Sequence, residues 1–388
     1  MKKLEKSVPV IRFKGFSEAW EQRKFIEIIN RLSKTSNSSI LPKVEYEDII
    51  AEEGRLNKDI SNKFDSRKGI LFQPKNILYG KLRPYLKNWL YPDFKGVAVG
   101  DFWVFEAIEA TPRFIYNLIQ SDSYQKVAND TAGTKMPRSD WTKVSNSSFF
   151  IPKESSEQKR IGTFFKQLDD TIALHQRKLD TLKQMKKGLL QQMFPKSEED
   201  VPKIRFADFD EEWYQRKLGE EFEKINERND GSFGKTHWIS VAKMYFVEPN
   251  KVLSNNIDTR TYVMRKGDIA FEGHSNTDFK FGRFVANDIG PGIVSELFPV
   301  YRHKTNYDNN YWKNAIQLEH IMAPIYSKSI TSSGNSSNKL DSKHFLNQKI
   351  YIADFEEQEK IGSIFKQLDN TIILYQNKLN KFDILKKA

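Results

Sequence analysis

The chain writes one pattern twice, and any fold it adopts must accommodate that duplication. Glu157-Gln158-x-x-Ile161-Gly162 and Phe165-Lys166-Gln167-Leu168-Asp169 return as Glu357-Gln358-x-x-Ile361-Gly362 and Phe365-Lys366-Gln367-Leu368-Asp369, and 15 of the 23 positions in 157–179 match 357–379. A second echo pairs Val8-Pro9-x-Ile11-Arg12-Phe13 through Trp20-x-Gln22-Arg23-Lys24 with Val201-Pro202-x-Ile204-Arg205-Phe206 through Trp213-x-Gln215-Arg216-Lys217, with 11 of 17 positions identical. Between these framing segments the two copies agree only faintly. A repeated frame around divergent contents predicts two related modules that recognise two different things.

At 388 residues the chain exceeds one ordinary core and suits two domains plus connecting elements. A hydrophobic fraction of 38% with 13% aromatics excludes wholesale disorder and favours folded, strand-containing domains. The absence of cysteine removes disulfides and thiolate metal sites and is compatible with a reducing cytoplasm, the expected location. Neither a secretory leader nor an apolar run of membrane-spanning length is read in the sequence, so no membrane association is expected. A formal charge of +11 draws the protein toward phosphate backbones or anionic membranes. Charge alone does not choose a partner, so the repeat has to decide.

From Ile161 the apolar positions step alternately by four and three through Phe165, Leu168, Ile172, His175, Leu179, Leu182, Lys186, Leu189 and Met193, which is a heptad seam. The second copy repeats it as Ile361, Phe365, Leu368, Ile372, Tyr375, Leu379, Phe382 and Lys386. Phe194-Pro195 should stop the first helix. Each helix of some 37 residues would span about 55 Å. The cheapest cover for one apolar stripe is the other, and the connectivity makes an intramolecular pair antiparallel. The alternative is that each stripe packs on its own domain. His175 and Lys186 read as register-setting or snorkelling residues at seam positions. Gly162 and Gly362 fall in the first turn, where glycine costs least.

Short β-type runs fill the first module at 69–72, 76–79, 97–99 and 102–105, with helix expected around 112–127. The second offers runs at 238–241, 262–264, 268–271, 292–294 and 297–301, then helix near 309–321. The order of elements looks the same, but the chemistry at corresponding loops differs. Tyr79-Gly80-Lys81-Leu82-Arg83-Pro84-Tyr85-Leu86-Lys87 stands against Phe271-Glu272-Gly273-His274-Ser275-Asn276-Thr277, and Ala132-Gly133-Thr134-Lys135-Met136-Pro137-Arg138 against Ser332-Ser333-Gly334-Asn335-Ser336-Ser337-Asn338-Lys339. Arg and Lys suit guanine edges or phosphates and Asn suits adenine edges, so such loops can read different bases; the plain alternative is solvated turns. The candidates for DNA contact are Lys81, Arg83, Tyr85, Lys135 and Arg138 in module one, and His274, Asn276, Asn335, Asn338 and Lys339 in module two.

Catalytic constellations are missing. Gly234-Lys235-Thr236 fails as a phosphate loop because Asn229 stands where its first glycine belongs. Pro92-Asp93 with Glu157-Gln158-Lys159 fails as a nuclease set, since the second element belongs to the repeat and Lys159 becomes Glu359. His175, His237, His274, His303, His320 and His344 show no metal-ligand spacing. No catalytic and no metal-binding residue is assigned, and the chain is read as catalysing nothing alone.

The frame, the Ile77-Leu78-Tyr79-Gly80-Lys81-Leu82-Arg83-Pro84-Tyr85-Leu86 run, and Gly133-Thr134-x-Met136-Pro137-Arg138 resemble the DNA-specificity subunits of type I restriction-modification enzymes. The resemblance covers nearly the whole chain and is strongest in the frame and module one; module two lacks the Lys-Leu-Arg-Pro and Met-Pro-Arg strings. It implies an α+β architecture of two mixed target-recognition domains (1–156 and 196–356) joined by an antiparallel two-helix coiled coil (157–195 and 357–388) about a pseudo-two-fold axis. Each domain would read half of a split, asymmetric site in double-stranded DNA. Two methyltransferase subunits and the restriction/translocase subunits would bind this chain and supply the chemistry, so S-adenosylmethionine, ATP and Mg would sit on partners and no cofactor on this chain. The rival reading is a non-catalytic coiled-coil scaffold whose modules bind proteins, separable by salt-titrated DNA binding. A nuclease or methyltransferase with an unrecognised site is the third.

Overall fold

The computed structural model describes residues 9–63, 65–131, 135–196, 201–253, 257, 260–333 and 337–387. They fall into two units, Met1–Leu174 with Phe382–Ala388, and His175–Lys381. No helix among the described residues is long and apolar enough to cross a membrane.

In the first unit, strand Glu21–Lys24 pairs antiparallel with Ser148–Ile151, Glu21 opposite Ile151, so the ends of the lobe lie side by side. The main sheet orders Ile29–Leu32, Phe102–Ala107, Ile77–Gly80 and Trp89–Leu90. Its two inner strands are buried on both faces over Ile77–Gly80 and 102–105, and the period of two assigns alternate side chains to different cores. Ile77, Tyr79, Trp103 and Phe105 join Phe25, Phe114, Ile115, Tyr124 and Phe149 under the helices. Leu78, Phe102 and Val104 face the other way and pack with Val44, Phe72 and Ala98 of a second sheet. The helix expected over 112–127 is two helices, Pro112–Leu118 and Asp122–Ala128, because Ser121 caps the second through Tyr124 N–H at 3.4 Å.

The second unit repeats the plan. Tyr214–Lys217 pairs with Lys349–Ile352, and the main sheet orders Phe222–Ile225, Val300–His303, Ile269–Glu272 and Arg283–Ala286. Ile269 and Phe271 enter the core with Phe284, Tyr301, Trp312, Tyr326 and Phe345, while Ala270 faces Val285, Val294 and Val300. The run 297–301 is strand only from Val300, since Leu297 lies exposed in the preceding turn. The helix expected to 321 is split into Asn309–Ala315 and Glu319–Ser329.

The repeated frame motifs have a common job. Arg12 donates from Nε and Nη2 to both oxygens of Glu157 at 2.7 and 2.8 Å, and Trp20 Nε1 donates to the same carboxylate at 3.3 Å. Arg205 and Trp213 hold Glu357 with the same three donors, at 2.8, 2.8 and 3.0 Å, the indole now on the other carboxylate oxygen. Gln158 and Gln358 each accept a backbone N–H, from Thr111 and Asp308, and donate to a carbonyl, of Pro152 and Ala353. Each long helix is thereby clamped at its first turn to its own lobe. Gly162 and Gly362 lie about two turns into these helices rather than in the first turn, and they let the helix approach the lobe: a methyl at Gly162 would lie 3.1 Å from Arg113 Cβ, and one at Gly362 would overlap the Asp308 carboxylate.

The long helices run Ser155–Gln192 and Phe355–Lys387. Every seam position from Ile161 to Met193 and from Ile361 to Lys386 is buried or half-buried. The start of each stripe packs on its lobe: Ile161 lies against the first core, and Ile361 and Phe365 are part of the second. Farther along, within the second unit, His175 meets Tyr375 edge-on at 5.4 Å, Lys186 pairs with Asp369 at 2.5 Å and Phe194 meets Phe365 at 6.1 Å. Contact positions rise along one helix as they fall along the other, the order of an antiparallel pair. Within the first unit Lys386 pairs with Asp169 at 2.8 Å. Both ways of covering the stripe, on the lobe and on the partner helix, are therefore used.

One histidine carries a pH consequence. His303 stacks on Tyr307 at 3.7 Å between Phe222 and Trp312, and neither ring nitrogen finds a hydrogen-bond partner among the described residues. Burial pushes its pKa down to about 3. In the unfolded chain the imidazole titrates near 6.5, so between these values the unfolded state binds the extra proton and stability falls as pH falls, by at most about 1.4 kcal/mol per pH unit. Denaturant unfolding between pH 4 and 6.5 should therefore show a steeper acid loss for the native chain than for His303→Phe; parallel slopes would refute the assignment.

Candidate nucleic-acid interface

In the first unit, strand Ile77–Gly80 feeds a loop that docks on a second loop far along the chain. Leu82 and Arg138 form an antiparallel bridge, Arg83 N donates to Pro137 O at 2.7 Å and Ser139 N donates to Lys81 O at 2.9 Å. Lys81, Arg83, Lys135 and Arg138, more than fifty residues apart in two groups, therefore share one edge. Pro84 is buried and pins the tip, while Arg83, Tyr85, Lys135 and Arg138 are exposed and Lys81 is half-buried. Arg83 (φ 49°) and Lys87 (φ 54°) both hold the left-handed conformation at the ends of the short Pro84–Leu86 turn.

A non-glycine residue in that region costs about 1 kcal/mol, and such strain clusters at functional sites. Arg83→Gly should thus raise the unfolding midpoint slightly. A variant that loses stability would show that the left-handed backbone at Arg83 carries no strain to relieve.

Asp101 lies in the midst of these cations and was not among the residues expected from the sequence. Arg138 Nη2 donates to Asp101 Oδ2 at 3.0 Å, and Lys81 Nζ stands 3.8 Å from Oδ1. The Asp101 carbonyl accepts Lys81 N–H at 2.9 Å and the Tyr46 hydroxyl at 2.5 Å, and that hydroxyl accepts Leu82 N–H at 3.1 Å. Burial raises the Tyr46 pKa, which keeps the hydroxyl a donor. Leu86 and Met136 are also exposed on these loops.

The second unit builds its edge in the same place with other side chains. The loop after strand Ile269–Glu272 meets the hairpin Ile330–Ser333/Asn338–Leu340 where Asn338 N donates to Gly273 O at 2.9 Å. A side chain at Gly273 would overlap the Asn338 carbonyl, so the approach requires glycine. His274 is exposed, and the buried Glu272 carboxylate accepts both its backbone N–H and its Nδ1–H. Lys339 is exposed and Asn338 half-buried. Asn276 is exposed, but its Oδ1 already accepts Asp278 N–H and Phe279 N–H, both at 2.9 Å. Two-point adenine contact needs that oxygen, so Asn276 shapes the loop and keeps only its amide NH2 for a ligand. Asn335 lies outside the described residues.

The residues considered and set aside for catalysis are occupied otherwise. Glu157 is held by Arg12 and Trp20, and Lys235 and Thr236 sit in a short surface turn. No group of His, Asp and Glu suited to a metal ion occurs among the described residues.

Residues 17–184 match the family model described as type I restriction modification DNA specificity domain. Two solved structures share the fold along the chain. One is the S subunit of a type I restriction-modification system from M. genitalium, at a TM-score of 0.60 and 13% identity, covering 98% of this chain and 96% of that one. The other comes from work on complex assembly and conformational transition of the type I R-M system, at a TM-score of 0.53 and 17% identity, covering 98% and 97%. No curated protein matches the sequence. The resemblance to type I specificity subunits drawn from the sequence is borne out, by sequence over 17–184 and by fold over nearly the whole chain.

Proposed function

We propose that this chain is the DNA-recognition subunit of a type I restriction-modification enzyme, reading a bipartite, asymmetric site with one half assigned to each unit. The observation that carries the reading is the pair of edges. Both are built by docking the loop after the same central strand onto a loop preceding the last short helix, yet one presents Lys81, Arg83, Tyr85, Lys135 and Arg138 and the other His274, Asn338 and Lys339. Equal scaffolds with unlike side chains suit two half-sites of different sequence. Lys and Arg contacts to phosphate give affinity that falls with salt, and the few base contacts give selectivity.

The long helices act as the spacer between the two readers. Support comes from the antiparallel order of their contacts and from the exchange of charges between equivalent positions: Lys186 meets Asp369, and Lys386 meets Asp169. Each residue's repeat partner sits in the other pair, as the pseudo-two-fold arrangement expected from the repeat would require. The duplicated clamps then offer two equivalent docking faces, one for each of two methyltransferase subunits. Methyl transfer, using S-adenosylmethionine, and ATP- and Mg-dependent restriction belong to the partner subunits in the cytoplasm.

The test is to map methylated bases in the genome of a host expressing this chain with its cognate methyltransferase. A split, asymmetric motif that disappears when this chain is deleted is the expected result. A contiguous motif, or methylation unaffected by the deletion, overturns the proposal.

A further inference from the structure

We propose that Asp101 is a specificity-determining positioning residue, which aims Arg138 at a base edge and keeps phosphate away from it; the inference rests on the reading of this edge as a DNA-recognition surface. A carboxylate is out of place on a surface meant simply to grip a polyanion. Here it stands within 3.0 Å of Arg138 Nη2 and 3.8 Å of Lys81 Nζ, on the edge both cations share.

Its own position is fixed from behind. The Asp101 carbonyl accepts Lys81 N–H and the Tyr46 hydroxyl, and the Tyr46 oxygen in turn accepts Leu82 N–H, so backbone bonds tie the acid to the same loop that carries Lys81 and Arg83. The carboxylate is therefore presented rather than trailing on a mobile turn.

Two effects follow from that placement. Arg138 is mostly exposed and long, and without a partner it would sample many rotamers; one committed N–H holds the planar fork while its other donors stay uncommitted among the described residues. The fork suits the paired O6 and N7 acceptors of guanine. The Asp101 charge also discriminates between ligands. A phosphate approaching Arg138 or Lys81 brings a negative charge close to the carboxylate and is repelled, whereas a neutral base edge is not. Asp101 thus trades overall grip for selectivity. The second unit uses the same chemistry from a different strand: buried Glu272 holds exposed His274 through its backbone N–H and its ring.

The experiment is selection of bound sequences from a randomised duplex pool by the full chain, its Asp101→Asn and Asp101→Glu forms, and Arg138→Ala. It is paired with a salt titration on a mixed-sequence duplex lacking the selected motif. For Asp101→Asn, enrichment at the guanine-containing positions lost in Arg138→Ala should fall about 10-fold, the scale of one good base contact. Affinity for the unspecific duplex should rise, its salt slope should steepen by about 0.9 as one phosphate contact is gained, and the other half-site should be untouched. Asp101→Glu should recover part of the enrichment. Unchanged enrichment, or an equal fall in specific and unspecific binding as a merely structural role gives, overturns the inference while leaving the recognition reading intact. A native chain that enriches no motif overturns both.

Discussion

Replacing Glu357 by Ala is expected to cost the second unit about 3–5 kcal/mol, the largest single-site loss of stability anticipated in this protein. The side chain is fully buried and satisfies three donors, Arg205 Nε, Arg205 Nη2 and Trp213 Nε1. Its removal strands a guanidinium that is itself only 11% exposed, together with an indole N–H. Most of the loss is the penalty of that orphaned cation, not the net worth of the pair. The double replacement Arg205→Met/Glu357→Leu, which removes both charges and keeps volume, should therefore recover much of it. The equivalent Glu157→Ala should follow the same course in the first unit. Hydrogen exchange reports each unit separately. A loss under about 1 kcal/mol, or a double variant no better than the single one, would show that the clamp does not close the lobe in the way described.

Lengthening both long helices by one heptad, between Ile172 and Leu179 and between Ile372 and Leu379, is expected to lengthen the unspecified spacer of the methylated motif. Seven residues add about 10 Å, close to three base pairs at about 3.4 Å each. Both helices must grow together, because Asp169 and Lys186 are matched to Lys386 and Asp369 over equal intervals and extension of one alone breaks an ion pair. Both half-site sequences should remain as they were, and insertions of three or four residues should do worse because they rotate the seam. Altered half-sites in the mapped methylome would contradict the proposed spacer; an unchanged spacer would do so equally.

How much of this was legible from residues alone varied with the range of the interaction. Heptad steps and β alternation are local, so the long helices and strands such as Gly69–Phe72 and Ile77–Gly80 announced themselves. The strands Glu21–Lys24 and Tyr214–Lys217 did not. Their side chains are largely exposed and polar, and they are strands only because Ser148–Ile151 and Lys349–Ile352 lie beside them. Gly162 and Gly362 were visible as repeated residues, but their reason is the close approach of Arg113 and Asp308. On the candidate edges, residue type pointed to Arg83 and Arg138, whereas Asp101 was hidden because an acid is not the residue sought for a polyanion. Residue type could not show that the Asn276 oxygen serves its own turn.

The duplication, the unlike contents of its two copies and the helical period of the seam were fixed by sequence alone, because identity and periodicity are properties of a single string. Tertiary structure alone decided that Arg12 meets Glu157, that Leu82 bridges to Arg138, and that Asp101 falls between two cations. Those meetings join residues tens to more than a hundred positions apart. No local preference encodes them; they arise when apolar burial folds the strands and helices into one lobe and leaves each polar group to find a partner there.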